Sequence, residues 1–448
     1  MRPFAEPPPQ PELTIGPQDR ELFAAHVRRG CKAEAAWAVG PEIELIGYDR
    51  ATLERIGPET VDAIVASFAS LDARFTFEDG RRIEAIMEWG WVTIEPGGQI
   101  EFSGARRANI AETERDVRRF LAHLHDVAEE RGLAFLGCGF DPFRTAGEQR
   151  WVSKRRYSVM RPYLSVDGRR GWDMMCRTAA IQVNLDYGSV ADLAAKFTVG
   201  NRLGPIVAAI FANSPFEAGA LSGFKSRRLA AWLETDTDRS GVSPATIGGF
   251  TVDGFVDYAL DVPMIFVRRD GQYVDLAGTS FHAFLESGVN GTRPRFADYT
   301  DHLTTIFTDA RLKQHVEMRS ADAGGVDDLL ACEAFWKGIT YDSSSLAEAE
   351  RLAPNLDRGG FARLQGDVAR RALGAETEGV CVLDVAREVV RLAADGLRRI
   401  APEELRYLDP LIERVVDAGE CPADRLIREY ESSWSADATK AVAALRVA

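Results

Sequence analysis

What the sequence lacks narrows its class first. No run among its 448 residues reaches the ~18 consecutive apolar side chains of a membrane-spanning helix. The N-terminus, MRPFAEPPPQPEL, carries four prolines within residues 7–11 and no apolar run, so it does not read as a signal peptide. These absences predict a soluble, cytoplasmic protein with no membrane partner. Basic residues are in deficit, 54 against 68 acidic, for a net charge of −14. Nucleic-acid binding rests on neutralising phosphates with Lys and Arg, so nucleic acid is excluded as a main partner. A metal-bridged nucleotide is not. The six cysteines, Cys31, Cys138, Cys176, Cys332, Cys381 and Cys421, are scattered without a CxxC pair. That spacing argues against a disulfide framework or zinc site and for reduced thiols partly in the core.

Familiar catalytic signatures are missing as well. There is no GxSxG elbow, no HExxH among the six histidines, and GALSGFKS at 219–226 lacks P-loop spacing. Residues 236–241 open like a calcium loop, but Ile247 stands where the twelfth position needs Glu. His123 and His125 fall in an amphipathic pattern and read as packing or surface residues.

What is present suits a large folded core: 46% of residues are hydrophobic and 27% charged, which rules out general disorder. Residues 1–14 are expected to be a flexible Pro-rich tail, 15–379 a catalytic domain, and 380–448 a helical region packed on it. Helical periodicity covers 17–29, 59–71, 111–131 and, as one long helix, 190–213, then 382–396, 402–417, 422–433 and 435–446. Strands are expected at 36–47, 134–139, 179–187, 263–267, 273–276 and 314–319, with a hairpin over 90–103. Strands and helices mix without a βαβ rhythm, which favours α+β.

Four strand segments share one habit. Residues two apart on a strand share a face. In VGPEIEL, Glu42 and Glu44 face away from Val39, Ile43 and Leu45. In TIEPGGQIEFS, a three-residue turn sets Glu95 opposite Gln99 and Thr93 opposite Glu101, with Val92, Ile94, Ile100 and Phe102 behind. IQVNLDY offers Gln182, Asn184 and Asp186, and HVEMR offers His315, Glu317 and Arg319. One wet face of an antiparallel sheet explains each strand alone. Lys is absent from all four segments, however, and acids and amides dominate. Such a face suits hard divalent cations that bridge to phosphates. Cations cluster separately, at Lys154, Arg155, Arg156 and Arg161, at Arg227, Arg228 and Arg239, and at Arg311, Lys313 and Arg319. Arginine forks suit phosphoryl oxygens. Surface charge accounts for some of them, Arg155 and Arg227 first.

The same residues lie in motifs that resemble the glutamate–cysteine ligases of plants and many proteobacteria. In order, the motifs are GPEIE, TIEPGGQIEFSG, GFDP, KRRYSVMRPYL, WDMMCRTAAIQVNLDY, FANSPF, ETDTDRSG, DYALDVPM, HLTTIFTDARLKQHVEMRSAD and AFWKGITYD. A more distant likeness is to actinobacterial ligases that supply γ-glutamylcysteine to ergothioneine synthesis. The resemblance implies a glutamine-synthetase-like fold, its antiparallel sheet wrapped around the site, flanked by helices. It also implies ATP as co-substrate, Mg²⁺, L-glutamate and L-cysteine, in a monomer or homodimer. The implied reaction forms γ-glutamyl phosphate, which the cysteine amine then opens, the first step of glutathione biosynthesis.

Carried over by motif, Glu42, Glu44, Glu95, Glu101 and Glu317 would hold Mg²⁺, with Gln182 a further ligand. Lys154, Arg228, Arg239 and Arg319 would be catalytic, and Gln99, Arg156, Tyr157, Arg161, Thr178 and Asn184 would meet substrate. Glu95→Gln or Glu317→Gln is then expected to abolish turnover at near-normal stability. The sequence departs from the family pattern at RTAAIQVN (177–184), at LAAWLETD (229–236) and at Ser320, where the family has Gly. These departures bear on the amine pocket. The alternatives are therefore the same acyl-phosphate chemistry with another amine or acid, or a binding protein that kept the fold without turnover.

Overall fold

The computed structural model describes residues 13–152, 154–165 and 170–448. The expected tail lies almost wholly outside these residues. At its end, Phe296 N donates to the Leu13 carbonyl at 3.0 Å and Ile15 N to the Pro294 carbonyl at 3.1 Å.

The architecture is α+β, centred on a nine-stranded sheet. Its strands are β1 (Val39–Asp49), β2 (Arg74–Glu78), β3 (Arg81–Met87), β4 (Gly90–Ile94), β5 (Ile100–Gly104), β6 (Leu133–Leu136), β7 (Ala180–Leu185), β8 (Ala310–Leu312) and β9 (Val316–Asp322). The order is β8-β9-β7-β1-β5-β4-β3-β2, with β6 also on β1, and every pairing in it is antiparallel. Alternation then sorts the side chains. Ile43, Leu45, Val92, Ile94, Ile100, Phe102, Ile181, Val183, Val316 and Met318 join one core.

Around the sheet lie α1 (Arg20–Arg28), α2 (Pro58–Ser67), α3 (Ile110–Arg131), α4 (Arg155–Leu164), α5 (Gly171–Arg177), α6 (Val190–Arg202), α7 (Gly204–Ile210), α8 (Arg227–Leu233), α9 (Val326–Thr340) and α10 (Val382–Ile400). Helix α3 starts at Asn109, whose side chain accepts from Glu112 N, and ends at left-handed Gly132. It buries Val117, Phe120, Leu124 and Val127, and Phe120 stacks on Phe102 of the sheet at 4.7 Å between ring centroids. Helix α9 packs on β1 and β7, and α10 packs along α9. The chain end returns to the sheet: Phe135 N donates to the Ala448 carbonyl at 2.8 Å.

The single helix expected over 190–213 is two. Pro205 has no N–H to offer the preceding turn, so α6 ends at Arg202 and α7 restarts at Gly204. The helix expected at 402–417 is a 3₁₀ turn, Pro402–Leu408, followed by a short α turn and a π-helical stretch, Ile412–Ala418. The strands expected at 263–267 and 273–276 are shifted to Phe266–Arg269 and Gln272–Asp275 and form their own ribbon off the main sheet.

Candidate active site

The hairpin between β4 and β5 has the predicted register, with Thr93 opposite Glu101 and Ile94 opposite Ile100. Gly98 N donates to the Glu95 carbonyl at 2.9 Å, Glu95 N to the Gln99 carbonyl at 2.9 Å, and Gly98 has φ +80°. A turn followed by one left-handed residue is the usual three-residue hairpin, and it explains Gly98. Gly97 is glycine for another reason: a Cβ there would lie 2.3 Å from the Cys176 carbonyl oxygen at the end of α5.

Pairing across the sheet gathers the polar set. Glu44 stands opposite Glu101, Glu42 opposite Gln182, and Glu317 opposite Asn184. Asn184 Nδ2 donates to Glu42 at 2.8 Å, and Gln182 Nε2 donates to Glu44 at 3.2 Å. Like charges directly opposite one another destabilise a sheet. Burial first, then Glu317 and Glu101, pushes the Glu42 carboxyl up to about 8. Burial, then Glu95 and Glu101, raises Glu44 well above the carboxylate range, and burial with Glu95 raises Glu101.

Glu317 differs. Burial acts to raise its carboxyl too, but Arg311, Lys313 and Arg319 outweigh it and hold it well below the ordinary range. Arg311 donates to it at 2.7 and 2.9 Å, Lys313 Nζ stands 3.4 Å away, and Arg319 Nη1 is shared between Glu317 and the Gln182 side-chain Oε1.

A cavity of about 100 Å³ opens against this face, with Glu44, Glu95, Arg156, Thr178, Arg228 and Arg319 on its polar side. Met160, Met174, Trp232 and Phe307, which sequence patterns did not single out residue by residue, form the apolar side together with Tyr157, an expected substrate contact. Tyr157 donates to the Ile94 carbonyl at 3.2 Å, tying α4 to the hairpin. Lys154 sits beside it; burial lowers its ammonium, while Glu95 and Glu101 support the charge.

Several expected site residues, catalytic Arg239 and three substrate contacts among them, are engaged with other protein groups. Arg239 is fully buried and shared among Asp236, Thr305, Tyr163 and the Pro263 carbonyl, away from the cavity. Arg161 lies between the Trp151 and Trp172 rings, 4.4 and 4.3 Å from their centroids. Gln99 lines the cavity, but its amide accepts from Gly97 N and donates to the Met175 and Thr178 carbonyls. Thr178 Oγ1 donates to the Met174 carbonyl at 2.6 Å. Arg227, expected at the surface, is 2% exposed and paired with Glu217. Asp186, expected on the polar face, lies beyond β7 and is paired with Lys32 and Arg106.

The acids fit a divalent cation as a wall. Among the described residues no three His, Cys, Asp or Glu form a closed cage. Glu42, Glu44 and Glu101 nevertheless crowd one another more than they are neutralised. Mg²⁺ characteristically takes one or two carboxylates and completes its shell with water and phosphate oxygens.

The sequence model of Glutamate-cysteine ligase family 2 (GCS2) matches residues 38–443. The chain belongs to this family. Among relatives of the ligase is the chloroplastic glutamate–cysteine ligase of Brassica juncea, 38% identical over 440 residues, spanning 96% of this chain and 85% of that protein. The chloroplastic glutamate–cysteine ligase of Nicotiana tabacum is 37% identical, spanning 96% of this chain and 83% of that protein. These chloroplastic relatives overturn the expectation of a cytoplasmic protein, which rested on the lack of a signal peptide and of a membrane span. A solved relative is the Francisella tularensis glutamate–cysteine ligase in complex with AMP. It has a TM-score of 0.55, at 13% identity, covering 91% of this chain and 86% of that one. That likeness establishes the glutamine-synthetase-like ligase fold.

Proposed function

We propose that this ligase joins the γ-carboxylate of L-glutamate to the α-amine of L-cysteine at the expense of ATP, the first step of glutathione synthesis. The observation that carries the reading is a sheet face of under-neutralised carboxylates that shares one cavity with Arg156, Arg228 and Arg319.

Glu42, Glu44, Glu95 and Glu101 would hold Mg²⁺, with Glu317 at the arginine side. The ion would supply positive charge at phosphate oxygens. A γ-carboxylate oxygen of glutamate attacks the γ-phosphorus of ATP. The bond to the β,γ-bridging oxygen breaks, giving ADP and γ-glutamyl phosphate. The neutral α-amine of cysteine attacks the acyl carbon, its proton passes to the departing phosphate, and the C–O bond to phosphate breaks. Carboxylate alone would have to expel oxide; the phosphoryl group makes the leaving group phosphate. Arg228 and Arg319 face the charge that builds on these oxygens, and catalysis of this kind is mainly positioning and electrostatics. Arg319 is itself fixed by Glu317 and Gln182, so it is oriented before substrate arrives. Met160, Met174, Trp232 and Phe307 suit the uncharged cysteine side chain.

Residues 15–379 and 380–448 are read as one working unit, a monomer or homodimer. The test is ADP release with ATP, Mg²⁺ and glutamate across a panel of amines. Cysteine-dependent release is expected. Release with another amine alone would replace cysteine as the substrate, and binding of ATP and glutamate without release would end the enzymatic reading.

A further inference from the structure

Two sequence motifs, FANSPF and GFDP, have no part in the chemistry above, and they meet at one carboxylate. Asp322, at the end of β9, is 1% exposed. From FANSPF, Asn213 N donates to its Oδ2 at 2.9 Å and Ser214 Oγ donates to the same oxygen at 2.6 Å. From the GFDP motif, Gly139 packs so close that a Cβ there would lie 2.3 Å from Asp322 Cγ. Ser226 Oγ donates to Oδ1 at 2.9 Å.

Both serines tie Asp322 to the first turn of α8, which carries Arg228. Ser226 caps α8, its Oγ accepting from Leu229 N at 3.1 Å, and Ser214 Oγ accepts from the Arg228 N–H at 3.3 Å. The Arg228 guanidinium also faces Asp322 directly, 4.0 Å from Nη1 to Oδ1. Its hydrogen bonds go to two neutral acceptors, the Arg319 and Ser320 carbonyls, at 2.9 and 3.3 Å. Among the described residues, Asp322 is the carboxylate within ion-pair distance of Arg228. A bulge places it there. Met318 pairs with Val183 but Ala321 pairs with Ile181, so two residues, Arg319 and Ser320, oppose Gln182. The extra residue reverses the alternation and sets Asp322 opposite Ala180, which itself lines the cavity.

We propose that Asp322 is a positioning residue for the ligase reaction, fixing Arg228 through two serine hydroxyls and through its own charge. The proposal rests on the reading of Arg228 as a group that stabilises phosphoryl transfer. The test is a double-mutant cycle of Asp322→Asn and Arg228→Gln, reading kcat, KM for each substrate and the melting temperature. Asp322→Asn is expected to lower kcat by about tenfold or more and leave KM for cysteine within about twofold. In the Arg228→Gln background it should add less than about twofold, because both changes disable one device. A purely packing role would instead lower the melting temperature and raise KM for every substrate. Asp322→Asn with normal kcat, or losses that multiply in the double variant, would overturn the proposal. Normal turnover in the single Arg228→Gln variant would overturn the underlying reading, and the proposal with it. Should Asp322→Asn not fold, Ser214→Ala and Ser226→Ala, which remove its donors singly, enter the same cycle under the same criteria.

Discussion

Two halves of one sheet face carry the same residue type in opposite electrical states. On the hairpin side, Glu44 and Glu101 stand opposite each other and near Glu95, and their carboxyls are raised. On the β9 side, Glu317 is surrounded by Arg311, Lys313 and Arg319 and its carboxyl is depressed. Burial penalises charge on both sides, so the neighbours decide. The hairpin half is short of positive charge; the β9 half already contains its cations. A strand-borne glutamate therefore has no fixed role until its cross-strand partners are known.

The comparison is tested hardest at Glu317. Removing one partner of a buried ion pair leaves the others uncompensated, so Glu317→Gln should destabilise the fold by about 3 kcal/mol, besides stopping turnover. This replaces the expectation of near-normal stability. A urea midpoint equal to wild type would erase the distinction between the halves. Next, Glu95→Gln should cut turnover by about a hundredfold, roughly 2.7 kcal/mol of barrier, without loss of stability, because it relieves repulsion. A large drop in its midpoint would show that Glu95 is structural.

A smaller effect sharpens the contrast through pH. Glu42, pushed up to about 8 from an ordinary 4.5, keeps in the folded state a proton that the unfolded chain has lost. Between those values folding takes up a proton, so the metal-free protein should lose stability as pH rises, by at most ~1.4 kcal/mol per pH unit for the group. Glu317 has the opposite sign: its contribution is whole above its ordinary value and fades only as pH falls through its depressed one. Urea unfolding in EDTA should show the slope, and Glu42→Gln should flatten it; an unchanged slope would remove Glu42 from the crowded half. The smallest effect belongs to Arg161→Met, which should cost about 1 kcal/mol through its lost indole contacts and leave KM values unchanged. A raised KM for glutamate would return Arg161 to the substrate.

Much of the site was legible in the chain. Period-two alternation and the Pro96-Gly97-Gly98 turn sufficed to pair Thr93 with Glu101 and to put Glu42 and Glu44 on one face, because strand geometry is local. Motif order brought in the basic residues as a set. Sorting that set was beyond it: Arg239 and Arg161 carry the same charge as Arg228, yet one is spent on Asp236 and backbone carbonyls and the other on two indoles. Asp322 was out of reach for a different reason. Counting by twos from Glu317 points to Ala321, and only the bulge at Arg319 and Ser320 exchanges the two.

The sequence by itself determined the strands that carry the polar face, the hairpin and the family, since each depends on near neighbours or on the order of motifs; it did not show β2, β3 or β8. The tertiary structure alone decided which carboxylates remain crowded, which arginines reach the cavity and which acid stands behind Arg228. Charge and hydrogen-bond energies depend on distance in space, and the partners that set them lie far away along the chain.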